Sequence, residues 1–142
     1  HWDKENQSAI IYKGDIKVDL AYDEDGFKGM SVAVVAGLIT PRTIDGVEKC
    51  VEPDKPVTRG EAMTWISKFI RCEKYPTLRT KQPDASFNLN RYPDAYEAGN
   101  NAEHYRYTLG MGYMDAQNGR IAADAYVTRQ DTADIIYRLV WK

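Results

Sequence analysis

Cysteine and histidine are scarce in this 142-residue chain, with two of each. Cys50 and Cys72 do not stand at metal-ligand spacing, and only His1 and His104 could join them, so no metal site is expected. The two cysteines read as buried thiols or, in an oxidising compartment, as a disulfide flanking a helix. An excess of charge of one sign is also missing. Lys and Arg number 19 against 21 Asp and Glu, a net charge of −2. Nucleic acid normally needs a basic face and is not an expected partner. No apolar run approaches the roughly 20 residues of a membrane-spanning helix, and no secretory signal is seen, so membrane insertion is not expected. Phosphate loops, nucleophile elbows and zinc-binding helix motifs are lacking, and Asp23, Glu24 and Asp25 sit in a turn without calcium-loop spacing. No enzyme is expected on these grounds, and no cofactor is implied.

What the chain does have is a segment written twice. Val57-Thr58-Arg59-Gly60-Glu61 opens the first copy and Val127-Thr128-Arg129-Gln130-Asp131 the second. Subtracting 57 from 127 sets them 70 residues apart. Thr58 and Thr128 suit a helix N-cap, because a threonine oxygen can accept from the unpaired amides of the first turn. Glu61 and Asp131, three residues on, complete a capping box and favour the positive end of the helix dipole. Behind each cap runs an apolar stripe at helical spacing: Ala62, Trp65, Ile66, Phe69 and Ile70, then Thr132, Ile135, Ile136, Leu139 and Val140. The stripes predict buried faces, with Trp65 and Ile135 in equivalent positions. Neither capping nor burial accounts for the arginine at the first helical position, where a cation opposes the dipole. Ten tyrosines and three tryptophans either line a sugar- or protein-binding surface or fill the small cores of short helices.

In chain order, His1 to Lys13 can form a helix ended by Gly14, and Ile16, Val18, Leu20 and Tyr22 alternate as a short strand. Residues 27–37 read as an apolar helix stopped at Gly37, and 40–56 as a polar loop broken by Pro41, Gly46, Pro53 and Pro56. Residues 71–91 form a charged linker. Tyr92-Pro93-Asp94 then opens a second unit, whose helix starts at Asn100 or Asn101, with Glu103 as capping partner, and stops at Gly110 and Gly112. The predicted fold is mainly α, a single domain over 1–142, with helices near 27–37, 58–71, 101–110 and 128–140.

These residues resemble the S-layer homology (SLH) family of bacterial cell-envelope anchoring modules. The family pattern is an aromatic-x-Asp opening, a helix ending at Gly, a loop with Gly and Pro, then Thr-Arg-Ala-Glu heading a second helix. The second repeat (87–142) carries Tyr92-Pro93-Asp94, the run Ala102 to Gly112, Gly119-Arg120-Ile121 and Val127 to Asp131. The first clear repeat (26–72) carries Val34 to Ile39, Pro53 and Thr58 to Glu61, and residues 1–25 read as a degenerate repeat or strand. Ala123 stands where the family usually has Pro, Asp131 where it has Glu, and the first loop is longer than the second.

The resemblance implies helix–loop–helix repeats packed as a small bundle, to which the alternating pattern adds short strands near the N-terminus. It implies a secreted, surface-anchoring module at the bacterial cell wall, without catalysis, binding an anionic secondary cell-wall polysaccharide that often carries a pyruvate ketal. Arg59 and Arg129 would read the ketal carboxylate by paired, charge-assisted bonds beside free helix amides. Asp94 would accept from sugar hydroxyls, or else serve as a turn or cap residue after Pro93. The family typically assembles three repeats and two signatures are visible here, which leaves room for a partner chain or a third repeat. An alternative use of the same fold is a scaffold for protein–protein interaction in a cell-envelope assembly.

Overall fold

The computed structural model of the chain describes residues 2–3, 8–11, 14–17, 27–35, 37–44, 47–50, 52, 55–71 and 81–141. Four α-helices make it mainly helical. It separates into two compact units, His1–Lys55 and Pro56–Lys142, a boundary that falls inside the expected first repeat.

In the first unit, β1 (Trp2–Asp3), β2 (Ser8–Ile11) and β3 (Gly14–Lys17) form an antiparallel sheet in that order, with Ala9 opposite both Trp2 and Ile16. A helix over 1–13 is thus replaced at Ser8–Ile11 by a strand. The β-branched Ile10, Ile11 and Ile16 suit a pleated surface better than a short helix. The strand expected over 16–22 lies, beyond Lys17, outside the described residues, as does the turn at 23–26. Helix α1 (Phe27–Val35) follows. It ends in a Schellman turn, in which the amides of Gly37 and Leu38 donate to the carbonyls of Val34 (3.1 Å) and Ala33 (2.9 Å), with Gly37 at φ +75°. Where a polar loop was expected, β4 (Arg42–Ile44) pairs with β5 (Val47–Cys50). Thr43, Ile44 and Val47 flank Asp45-Gly46, a dipeptide that favours hairpins and outweighs the neighbouring prolines. Cys72 lies outside the described residues, and the question of a disulfide lies there with it.

The second unit is built on α2 (Arg59–Ile70) and α3 (Ala102–Gly110). Met63, Ile66, Ser67 and Ile70 form the buried face of α2, against Tyr105, Tyr107 and Leu109 with Leu89, Met114 and Ile121. This face is rotated from the one expected. Trp65 is only half-buried and Phe69 is exposed, because α3 covers the side of α2 that carries Met63 and Ser67. Two polar contacts, the first buried and the second partly buried, fix that choice: Thr108 Oγ1 donates to the Met63 carbonyl (2.7 Å), and Ser67 Oγ lies 2.9 Å from His104 Nδ1. Burial, then the neighbouring Lys68 and Arg71, push the His104 pKa down and favour the neutral ring.

Three 3-10 turns (Leu89–Arg91, Ala95–Glu97, Gly99–Asn101) lead into α3. The Asn cap expected there does not form, since the backbone enters directly from the last turn and the Asn101 side chain makes no capping bond. Gly110 is the last helical residue of α3. It lies in the last turn, where a Cβ would stand 2.6 Å from Pro83 Cβ. The stop is Gly112, at φ +76°, in a second Schellman turn. Gln117 and Arg120 then close a two-residue turn over Asn118 and Gly119, both at positive φ. Last comes α4 (Arg129–Trp141).

Candidate functional site

Both capping boxes close. Thr58 Oγ1 accepts from the Glu61 amide at 3.1 Å, and the Thr58 amide donates to Glu61 Oε1 at 3.3 Å. In the second copy the corresponding distances are 3.0 and 2.9 Å. The segments leading into the two helices run antiparallel, Thr58 bridging Tyr126, with the Val127 amide on the Val57 carbonyl at 2.9 Å. The two Thr-Arg signatures are therefore brought side by side, and an apolar groove of about 320 Å³ opens between α2 and α4, lined by Trp65, Ile66, Val127 and Ile135 among others.

The two arginines part company at this point. Arg59 is buried. Its Nε donates to the Ile121 carbonyl at 3.2 Å and its Nη2 to the Asp115 carbonyl at 2.6 Å. Its own amide and that of Gly60 donate to the carbonyls of Ala125 (2.7 Å) and Ala123 (2.9 Å). The loop between α3 and α4 thus occupies the N-terminus of α2, filling the place where an anion would sit. Burial lowers the Arg59 pKa, against the opposing pull of Asp131, Asp115 and Asp94. An open cavity of about 150 Å³ reaches Arg59, but Asp115, Asp131 and Asp134 line it as well. A carboxylate ligand would meet three like charges there.

Arg129 is exposed and, among the described residues, makes no hydrogen bond or ion pair. The amides of Arg129 and Gln130 likewise have no acceptor among those residues. An exposed guanidinium beside two unused helix amides is a suitable arrangement for an anion.

Asp94 is buried and faces inward. Its Oδ1 and Oδ2 accept from the amides of Ile121 and Ala122, each at 2.9 Å, and Arg120 Nε stands 4.0 Å from Oδ2. Burial alone would raise its pKa. The Ala122 and Ile121 amides and Arg120 together outweigh that and hold the carboxyl below its usual range. The carboxylate pins a loop in which Ala122 adopts φ +52°, strained for a residue with a side chain. The side chain makes no cap bond in its own turn and is spent on a loop 27 and 28 positions on.

Sequence reasoning missed Arg138. It holds α4 to the preceding loop by a bidentate pair with Asp115 (2.9 and 2.6 Å), a bond to the Gly112 carbonyl (3.1 Å) and an ion pair with Asp134 (3.0 Å). The bond to Asp115 leads the causes that raise its pKa. The one available signal was the i,i+4 spacing of Asp134 and Arg138. Among the described residues no group of three or more His, Cys, Asp or Glu side chains could hold a metal ion, and no described helix is long and apolar enough to cross a membrane. Comparison with protein families, curated proteins and solved structures finds no match for this chain.

Proposed function

We propose that the chain is a non-catalytic anchoring module of the SLH type, in which the N-terminus of α4 reads an anionic group on a bacterial cell-wall polysaccharide. The observation that carries this reading is the contrast between the signatures: Arg129 is exposed beside the unused amides of Arg129 and Gln130, whereas Arg59 and its amides are engaged within the fold. Arg129 is the ligand residue. Arg59 and Asp94 shape the loop that supports it.

The test is sedimentation with purified cell-wall sacculi, before and after removal of the secondary polysaccharide. Binding should depend on the polysaccharide and fall about tenfold in Arg129→Ala, the size of one lost charge-assisted contact. Arg129→Lys should rescue poorly, since a point charge lacks the planar fork. Binding that survives stripping, or that ignores Arg129, contradicts the proposal. The exposed apolar face of α4 favours a second reading, an SLH-like scaffold for another protein of the envelope. That reading would gain if sacculi binding were absent and α4 crosslinked to an envelope protein.

A further inference from the structure

The apolar arc of α4 is wider than the described residues of its unit cover. Ile135 packs on the core, while Arg138, Asp134 and Asp131 turn toward the loop at Asp115 or the cap. The remaining arc carries Ile136 (56% exposed), Tyr137 (56%), Val140 (65%) and Trp141 (76%), with Leu139 at its edge. At 100° per residue, Ile136, Val140 and Tyr137 share one face and Trp141 flanks it. This patch has no charged residue over the last two turns, because the one charge there, Arg138, is drawn aside by Asp115 and Asp134.

We infer that this face is the contact between two copies of the chain, with the C-terminal halves of the two α4 helices packed antiparallel about a two-fold axis. Three features on the molecule select a second copy. A two-fold contact requires a self-complementary patch, and the Ile136–Val140 strip meets its own image, Ile136 against Val140, with no charge brought against a like charge. The area suffices as well. At about 150–250 Å² for a whole aromatic side chain, the exposed parts of these five residues come to on the order of 500 Å² per copy. That is about 1,000 Å² in all, the threshold of a specific interface before the flanking residues contribute. Finally, the strip stops short of Arg129, seven residues before Ile136 and so about 10 Å away along the helix. Antiparallel pairing then leaves both Arg129 sites open at opposite ends. In this last respect the inference rests on the proposed function: a dimer with two wall-binding ends gains avidity on a repetitive polymer.

Sedimentation equilibrium of the full chain, with inorganic buffer and no added ligand, provides the test. Wild type should shift from one to twice the mass of a single chain across the micromolar range. Ile136→Lys and Val140→Asp alter exposed positions, so each should keep the wild-type far-ultraviolet spectrum while weakening association roughly thirtyfold or more, as for a lost hot-spot side chain. Arg129→Ala should leave the dimer intact while weakening wall sedimentation about tenfold, which separates this inference from the functional reading. A wild-type chain that stays monomeric at about 100 µM overturns the dimer, and so does a dimer indifferent to both substitutions. A monomer whose α4 crosslinks instead to an envelope protein assigns the face to that partner and likewise overturns it.

Discussion

Helices α2 and α4 start from nearly the same residues, each with a Thr cap, an Arg, an acid three residues after the cap and an apolar stripe. They end in opposite environments. In α2, Met63 and Ser67 are fully buried, Arg59 is bonded to two loop carbonyls, and Gly60 is approached so closely that a Cβ would stand 2.6 Å from the Tyr105 hydroxyl of α3 and 3.1 Å from Ala123 Cβ of the loop. In α4 no residue is buried, Gln130 replaces the glycine, and Arg129 is exposed. Capping is decided within a few residues, so it repeats faithfully. Burial is decided by what arrives from elsewhere in the chain: α3 and its following loop cover α2, and no described element does the same for the outer face of α4. A repeated motif therefore carries a repeated local structure without a repeated role.

The largest difference should come from matched core truncations. Met63→Ala should cost about 3–4 kcal/mol, the transfer term plus a cavity. Ile136→Ala, on the exposed face, should stay within about 0.5 kcal/mol when the chain is monomeric. Urea midpoints at constant slope would measure both, and similar losses would erase the distinction between the two helices.

The next test places Ala at the equivalent second helical positions. Gly60→Ala should cost about 1–3 kcal/mol, because the Ala123 carbonyl as well as Tyr105 must give way. Gln130→Ala should change stability by no more than about 0.5 kcal/mol. A neutral Gly60→Ala would mean that the loop retreats easily.

The smallest expected effect is a pH dependence of the contact between α2 and α3, where Ser67 meets His104. His104 has a lowered folded pKa, so its contribution is present above the unfolded value near 6.5 and is lost as pH falls below it. The melting temperature should drop a few degrees between about pH 7.5 and 5.5, and His104→Gln should flatten that slope. α4 contains no histidine and offers no counterpart.

Sequence pattern was sufficient for the caps of α2 and α4, since Thr58, Thr128, Glu61 and Asp131 act on neighbours three residues away, but not for the Asn cap of α3 or for the strand at Ser8–Ile11. It was sufficient for the turns at Gly37 and Gly112, where a left-handed residue must end a helix. It was not sufficient for the direction of burial. The stripe through Trp65 and Phe69 is as periodic as the one through Met63 and Ser67, and only the Thr108 and His104 bonds from α3 decide between them. Nor could it place the site residues, whose partners are distant in the chain. Arg59 bonds to residues 62 and 56 positions away, and the Asp94 carboxylate to amides 27 and 28 positions on. The hairpin at Arg42–Cys50 was legible in Asp45-Gly46 between β-branched residues, but the surrounding prolines pointed to a loop.

The central claim, that one Thr-Arg pair braces the fold while its repeat faces outward, is tested most directly by equilibrium urea unfolding of Arg59→Ala beside Arg129→Ala. Losing Arg59 strips the Ile121 and Asp115 carbonyls of their donor and leaves a void, so a loss of about 2–4 kcal/mol is expected. Losing Arg129 removes an exposed cation from the positive end of a helix dipole, so the expected change is within about 0.5 kcal/mol, if anything stabilising. Equal losses at the two positions, or a larger one at Arg129, would contradict the account.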